Sequence, residues 1–467
     1  MVVLNEGQLI SAHLSAHIAE LTSTLAALDQ GVFACRSAVA PINRLPLELL
    51  GEIFACAAQC AHGTSSVTDV RGGPWLVSHV CRRWRALALG TPALWTTVDV
   101  GDHAFSRRLG PKLVSAYVKR SGDALVSCSL SVAPSQPVPV VHVFLGILFR
   151  CRGRWQHAYF ALDAACLDHL APPSNPGFPA LEHIDIHLTG KPDSGGGPPK
   201  GCNLFAESPR LRRALVSGAQ HRAFRFAWSQ LEYYVGHVVT EDGRCILPEL
   251  GALQRCGPSV HAARPIPKPA TPYVLPALAK LCVNHGTVVD AITTPALAEC
   301  AFGSGPCLAQ VCALLERSIC SLRALRLIDN PIPLDGMRRL LQLCPDLREL
   351  AIGCMLRVEV DVYALLDALT IRSGGTSPLV PVLEQLAFSP FYRSFDCSPL
   401  VELARSRAPA AGGRLLSVSL LLSQCTLDGA NLYDALRQDA ASLGFRDVCL
   451  TDDFSVSDDI VNSWLDV

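Results

Sequence analysis

The sequence predicts an α/β chain in which amino-terminal helices precede a repeating solenoid of strand-and-helix units with a parallel sheet. Three observations predict it. One large apolar residue, two others, an apolar one, one other and an apolar one recur thirteen times between Trp95 and Leu450. The copies are mostly 19 to 36 residues apart, and a period of roughly 20 to 30 residues marks stacked repeats. Between copies the apolar spacing lengthens to three and four residues, as on a helix face.

The chain has 467 residues, 49% hydrophobic and 17% charged, which suits a thoroughly folded protein rather than disordered tails. A net charge of −1 offers no electrostatic footprint for nucleic acid or a membrane surface. The longest apolar run, Val138 to Phe149, is interrupted by His142 and too short to span a bilayer. No secretory leader opens the sequence, so the twenty cysteines are expected to be reduced and mostly buried, in the cytoplasm or nucleus.

Taken in order, residues 1–40 predict a single helix. Leu14, Ile18, Leu21, Leu25 and Leu28 alternate spacings of four and three, a seam of about two heptads closed by Gly31. A lasting two-stranded coiled coil needs about three to four heptads. The helix is therefore expected to fold back on the helices that follow and leave the chain a monomer, pairing with a second copy being the alternative.

Residues 41–96 predict a small helical module. Asn43 is a candidate cap, Pro46 suits a first helical turn, and Leu45, Leu49, Ile53 and Phe54 fall at helical spacing. After a loop at 57–74, Val77, Val80, Cys81, Trp84 and Leu87 form a second stripe that Gly90-Thr91-Pro92 stops. Two such helices alone make a marginal core, so either the rest of the chain or a partner must cover them.

Leu45-Pro46, then Leu49, Ile53 and Phe54, then Val80-Cys81-Arg82-x-Trp84-Arg85, then Leu94-Trp95, occur in an order that resembles the F-box. That module docks a substrate receptor onto the adaptor of a cullin-type ubiquitin ligase. The stretch looks most like the F-box-like variant abundant in mushroom-forming fungi. The resemblance implies adaptor contacts from Leu45, Pro46, Leu49, Leu50, Ile53, Phe54, Val80, Cys81 and Trp84, with Cys81 as an apolar packing residue. It departs from the family in the insertion at 57–74 and in lacking an Asp-Leu pair there.

Residues 97–467 carry the repeats, irregular at 190–202 and 237–276. The spacing of Leu322-Leu325-Leu327 and Leu347-Leu350-Ile352 resembles the strand of leucine-rich repeats, and helical stretches such as Met337, Leu340, Leu341 and Leu343 lie between. That resemblance implies an α/β horseshoe. Cysteine or proline just ahead of several strands is similar to the repeats of F-box receptors. Side chains between the apolar strand positions face outward, making Arg323, Arg326, Arg348, Glu349, Glu384 and Gln385 candidates for binding a target.

Metal and catalytic motifs are weak. Cys56, Cys60, His62, His79 and Cys81 form the best zinc candidate, yet Cys81 already matches as a packing residue and Cys56 lies on the first helix, and His13, His17 and Glu20 read as a solvated helix face. Cys307 and Cys312 read as helix packing. No phosphate-cradling loop, nucleophile elbow or His-Glu-x-x-His pair occurs, and no acid or histidine is placed beside a plausible nucleophile. The expectation is a non-enzymatic, cofactor-free receptor of a cullin-type ligase, with the adaptor and an unidentified target protein as partners. The alternative is an interaction scaffold in which the helical module only caps the repeats.

Overall fold

The computed structural model describes residues 2–60, 66–163, 166, 177–189, 203–218, 224–239, 244–259, 266–267, 269–303, 305–328, 333–353, 362–372, 378–389, 394–421, 426–428 and 430–451. Contacts divide the chain into two compact units, Met1–Val98 with Lys112–Ala124, and Asp99–Pro111 with Leu125–Val467.

The first unit opens with α1 (Val2–Val39), α2 (Leu47–Cys60), α3 (Gly73–Ser78) and α4 (Arg82–Gly90). Gly31 does not stop α1, which runs eight residues further, although glycine inside a helix costs roughly 0.5–1 kcal/mol relative to alanine. α2 starts one residue after Pro46, whose carbonyl accepts the Leu50 N–H at 3.1 Å. The second predicted stripe is not one helix. Backbone at Cys81 is extended (φ −155, ψ 172), and its sulfur accepts the Trp84 N–H at 3.5 Å as the cap of α4. Cys81 is thus an exposed cap rather than a packing residue. Arg85 Nε donates to Ser78 O at 2.9 Å and holds the two short helices across the break.

This unit is sealed by residues far apart in sequence. Val67, Trp75, Leu94 and Trp95 are buried, so part of the predicted 57–74 loop is core. Trp75 Nε1 donates to Val67 O at 3.1 Å, and Trp95 Nε1 to Ala88 O at 2.8 Å. The chain then passes through β1 (Thr97–Val100), α5 (His103–Ser106) and α6 (Gly110–Arg120). From α6, Tyr117 meets Trp95 edge-on with ring centroids 4.8 Å apart, and the Arg120 guanidinium lies 4.4 Å and 4.5 Å from the Trp75 and Trp95 rings.

The second unit continues with β2 (Val126–Ser131), α7 (Val138–Phe149), β3 (Trp155–Asp163), β4 (His183–Thr189), β5 (Arg213–Gly218), β6 (Tyr233–His237), β7 (Arg255–Ser259) and β8 (Tyr273–Val274). There follow β9 (Lys280–Val283), α8 (Gly286–Ala291), β10 (Ile292–Thr293), β11 (Glu299–Phe302), α9 (Leu308–Ser318), β12 (Ala324–Ile328), α10 (Leu334–Gln342), β13 (Glu349–Gly353) and α11 (Val362–Leu369). The last elements are β14 (Gln385–Ser389), β15 (Ser394–Asp396), α12 (Ser398–Arg407), β16 (Ser417–Leu421), β17 (Thr426–Asp428), α13 (Ala430–Gln438), α14 (Ala440–Leu443) and β18 (Asp447–Thr451). Fourteen strands form one long sheet whose order follows the chain, β8 with β10 and β15 with β17 making separate pairs.

The pairs from β2 to β18 are parallel. All thirteen sequence copies coincide with strands of this sheet. The fourteenth, β7, lies inside the stretch read as irregular: Leu253-x-x-Cys256-x-Pro258 carries proline at the third apolar position. Consistently, β7 pairs with β6 through Ser259 but with β9 only at Arg255 and Cys256, before the residue that lacks a donor.

One face of the sheet is buried. Cys300, Leu325, Leu350, Leu386 and Val418 stand in register, as do Phe302, Leu327, Ile352, Phe388 and Leu420 two residues on. Each such side chain contributes about 1.5–3 kcal/mol by leaving water. Helices alternate with strands from β11 to β18, as expected. Between β3 and β7 the described connections contain only single 3-10 turns, and aromatic rings fill the layer instead. Trp155, Phe178 and Phe205 follow one another at 5.1 Å, and Phe226 leads to Trp228 at 5.2 Å and on to Tyr234 at 5.3 Å.

Most described cysteines are buried, and burial pushes their thiols up, to about 12 for Cys282 and Cys344, so they stay protonated and unreactive. Cys307 differs: it is exposed and caps α9, with its N–H donating to Gln310 Oε1 at 3.0 Å, while Cys312 packs.

Arg407 at the end of α12 is fully buried. Its Nε donates to Leu369 O at 2.6 Å, Nη1 to Val380 O at 2.9 Å and Nη2 to Leu379 O at 2.6 Å. Burial pushes its pKa down to about 10, a penalty that the three carbonyls offset. Arg407→Met should lower unfolding free energy by about 3–5 kcal/mol in urea titrations, because three buried carbonyls lose their donors at once. Arg407→Lys should recover little, since one ammonium cannot reproduce the planar fork.

Candidate functional site

α2 carries two apolar stripes. Leu50 and Phe54 point inward and are fully buried, so they serve the core of the unit rather than an external contact. Pro46, Leu49 and Ile53 point the other way, with Leu49 54% and Ile53 44% exposed. Residues three and four apart share a helix face, which makes this outward row continuous. Trp84 is half-buried behind it, its ring 4.8 Å from Phe54. Arg83 Nη2 donates to Leu45 O at 2.7 Å and fastens α4 to the start of α2. Leu76 and Val80, at and beyond the end of α3, are also exposed.

The described seam of α1 does not cover that row. Leu14, Ile18, Leu21, Leu25 and Leu28 remain 58–66% exposed, which overturns the expectation that this helix folds back on the module. Packing a helix against α2 would have withdrawn one seam or the other from water. Neither is withdrawn.

A second candidate surface is the open face of the sheet. Register places His157, His183, Arg213, Tyr233, Arg255 and Lys280 side by side in successive strands. The His157 and His183 rings are 4.6 Å apart, and the Arg213 guanidinium lies 4.7 Å from the Tyr233 ring. Two residues further along, Leu215, Val235 and Gly257 stand in register, and Tyr233, Cys282 and Ala301 form a small buried apolar cluster with Val235 against it.

Asp185, His187 and Ser217 meet on the same face. His187 Nε2 lies 3.1 Å from Asp185 Oδ1, although the carboxylate oxygen has no hydrogen bond of good geometry, and His187 Nδ1 meets the Ser217 hydroxyl. The carboxylate raises the pKa of the imidazole. Sequence reading placed no histidine beside a nucleophile, because His187 and Ser217 are thirty residues apart. The signal was the repeat itself: each is the sixth residue after its anchor, Leu181 or Leu211. Strand register alone produces the trio.

Of the predicted target contacts, Arg326, Glu349 and Gln385 occupy outward positions within β12, β13 and β14. Arg323, Arg348 and Glu384 instead lie one residue before those strands, on the lip of the sheet, where Arg348 Nη1 pairs with Glu384 Oε1 at 3.2 Å. The side chain of Cys60 and all of His62, members of the zinc candidate, lie outside the described residues, as do 190–202 and 260–265. Among the described residues no group of three His, Cys, Asp or Glu is arranged to hold a metal, and no helix is long and apolar enough to cross a membrane.

Compared with known proteins, the chain matches no family model and no curated sequence.

The histidines make stability depend on pH. Burial, then the charges of His157 and Arg213, lower the His183 pKa from 6.5 to about 4, with Glu182 opposing. Unfolded, this ring takes up a proton near its ordinary pKa, and folded it resists, so acidification across that window favours the unfolded chain. His183→Asn should therefore lose less of its urea midpoint than the parent chain between pH 7 and about pH 4.5. His187 works in the opposite sense: its raised pKa adds stability below the ordinary histidine pKa, lost as pH rises through the folded value.

Proposed function

We propose that the chain is the substrate receptor of a cullin-type ubiquitin ligase. Its helical unit, similar to an F-box, holds the adaptor, and its strand-and-helix units form a leucine-rich-repeat horseshoe that holds a target. The observation that carries this reading is the outward apolar row Pro46–Leu49–Ile53 on α2, with Val80 also exposed. Large aliphatic side chains grouped on one helix face and uncovered by their own chain are what a docking helix presents. Leu45, Pro46, Leu49, Ile53 and Val80 make the contact in this reading, and Trp84 supports them from behind.

The chain itself performs no chemistry in this reading. A receptor works by raising the effective concentration of a target lysine near a ubiquitin thioester carried by another subunit. The open face of the sheet, with its basic and aromatic row beside an apolar cluster, supplies the target surface. The second reading, a scaffold without a ligase, is favoured by the burial of Leu50 and Phe54, which assigns part of the F-box-like pattern to internal packing.

Leu49→Ala with Ile53→Ala should weaken capture of the cullin adaptor by about 30-fold or more while leaving the unfolding midpoint within error, because both side chains are exposed. Unchanged capture by the folded double variant would reject this interface. An active-site-directed fluorophosphonate should leave Ser217 unlabelled; labelling that disappears in Ser217→Ala would assign hydrolytic chemistry to the Asp185–His187–Ser217 trio instead.

A further inference from the structure

We propose that α1 pairs with α1 of a second copy of this chain as a parallel two-stranded coiled coil. Because the helix continues through Gly31, the apolar seam is longer than the two heptads seen up to Leu28. Val32, Cys35 and Val39 extend it with the same alternation of four and three, to three and a half heptads over a length on the order of 40 Å. These side chains are exposed: Leu28 63%, Val32 50% and Val39 64%, with Cys35 open as well.

Position within the heptad selects the occupant. Ile18, Leu25, Val32 and Val39 fall at a, and Leu14, Leu21, Leu28 and Cys35 at d. β-Branched Ile18, Val32 and Val39 at three of four a positions, with leucine at three of four d positions, favour two parallel strands over three or four. The flanking e and g positions oppose nothing to self-pairing. Asp29 and Arg36 are their only fixed charges between residues 14 and 38, and in a parallel pair neither faces its own kind. The hydroxyls of Ser15, Thr22 and Thr24 on these flanks are already bonded to Ser11 O at 2.8 Å, Ile18 O at 2.6 Å and Glu20 O at 2.9 Å. A partner helix would therefore meet their carbon atoms without stripping a polar group of its only bond.

The area suffices. Seven aliphatic side chains from each copy, each withdrawing roughly 60 to 120 Å², give on the order of 1,000 Å² of apolar surface before the flanking stems are added. Stable interfaces begin near 1,200 Å² in total. A membrane surface is a poorer fit, since the polar side of residues 11–36 lacks the cluster of lysine and arginine such helices carry.

The full-length chain under reducing conditions should sediment as a dimer, at twice its 50.0 kDa mass. Leu21→Glu with Leu28→Glu should weaken association by about 100-fold or more, without moving the thermal unfolding of the remainder, because both residues are exposed. A monomer at concentrations up to about 100 µM, or a dimer indifferent to this double substitution, would overturn the proposal. Orientation is read from Cys35: a short bismaleimide should link two copies, and Cys35→Ser should abolish that link. A seam-dependent dimer that does not cross-link through Cys35 would overturn the parallel register. Adaptor capture by Leu49 and Ile53 tests a different helix, so either result stands without the other.

Discussion

The long parallel sheet depends on backbone pairing between neighbouring units rather than on bonds within one. Just ahead of each strand of the long sheet from β4 on, a main-chain N–H reaches a carbonyl at or just ahead of the start of the neighbouring strand. Glu182 donates to Gln156 O, Arg212 to Glu182 O and Glu232 to Arg212 O, and the chain of bonds runs on to Arg446 and Leu416 O. No unit can satisfy its own strand, so each is stable only on its neighbour. This constraint also allows the connections to vary. Helices lie between the later strands and aromatic rings between the middle ones, because the layer behind the sheet must only be filled and apolar.

The same constraint creates the open face. Once apolar positions are committed to the buried side, the residues between them become neighbours across strands about 4.8 Å apart. His157 beside His183, Arg213 beside Tyr233, and His187 beside Ser217 are consequences of register. A surface assembled this way is chemically mixed. Arg407 shows the opposite use of polarity, as its guanidinium ties down three carbonyls where the chain turns between units.

The helical unit follows another logic. Trp75, Trp95, Tyr117 and Arg120 close its core together with Val67, from a stretch that sequence spacing had assigned to a loop. With that core closed, α2 needs only Leu50 and Phe54 inside, and its second apolar row is surplus to folding. α1 has a seam of the same character and still less to cover it. Two helices of one unit thus carry apolar faces that its own packing does not use.

Thirteen of the fourteen described strands of the long sheet were legible in the residues alone, since alternation of side chains along a strand is a property of each short segment. β7 was not, because Pro258 breaks the apolar pattern while the strand's other neighbour still supports it. The break between α3 and α4 was hidden for a related reason: Val77, Val80 and Trp84 would share a face in a continuous helix, and only the extended backbone at Cys81 shows that they do not. Local periodicity therefore determined which segments are strands and helices. Tertiary structure alone decided which of two apolar stripes on α2 faces inward, whether α1 is covered, and which polar residues thirty positions apart stand together. Those outcomes depend on the competition among distant surfaces for the same limited interior, and no window of neighbouring residues contains both competitors.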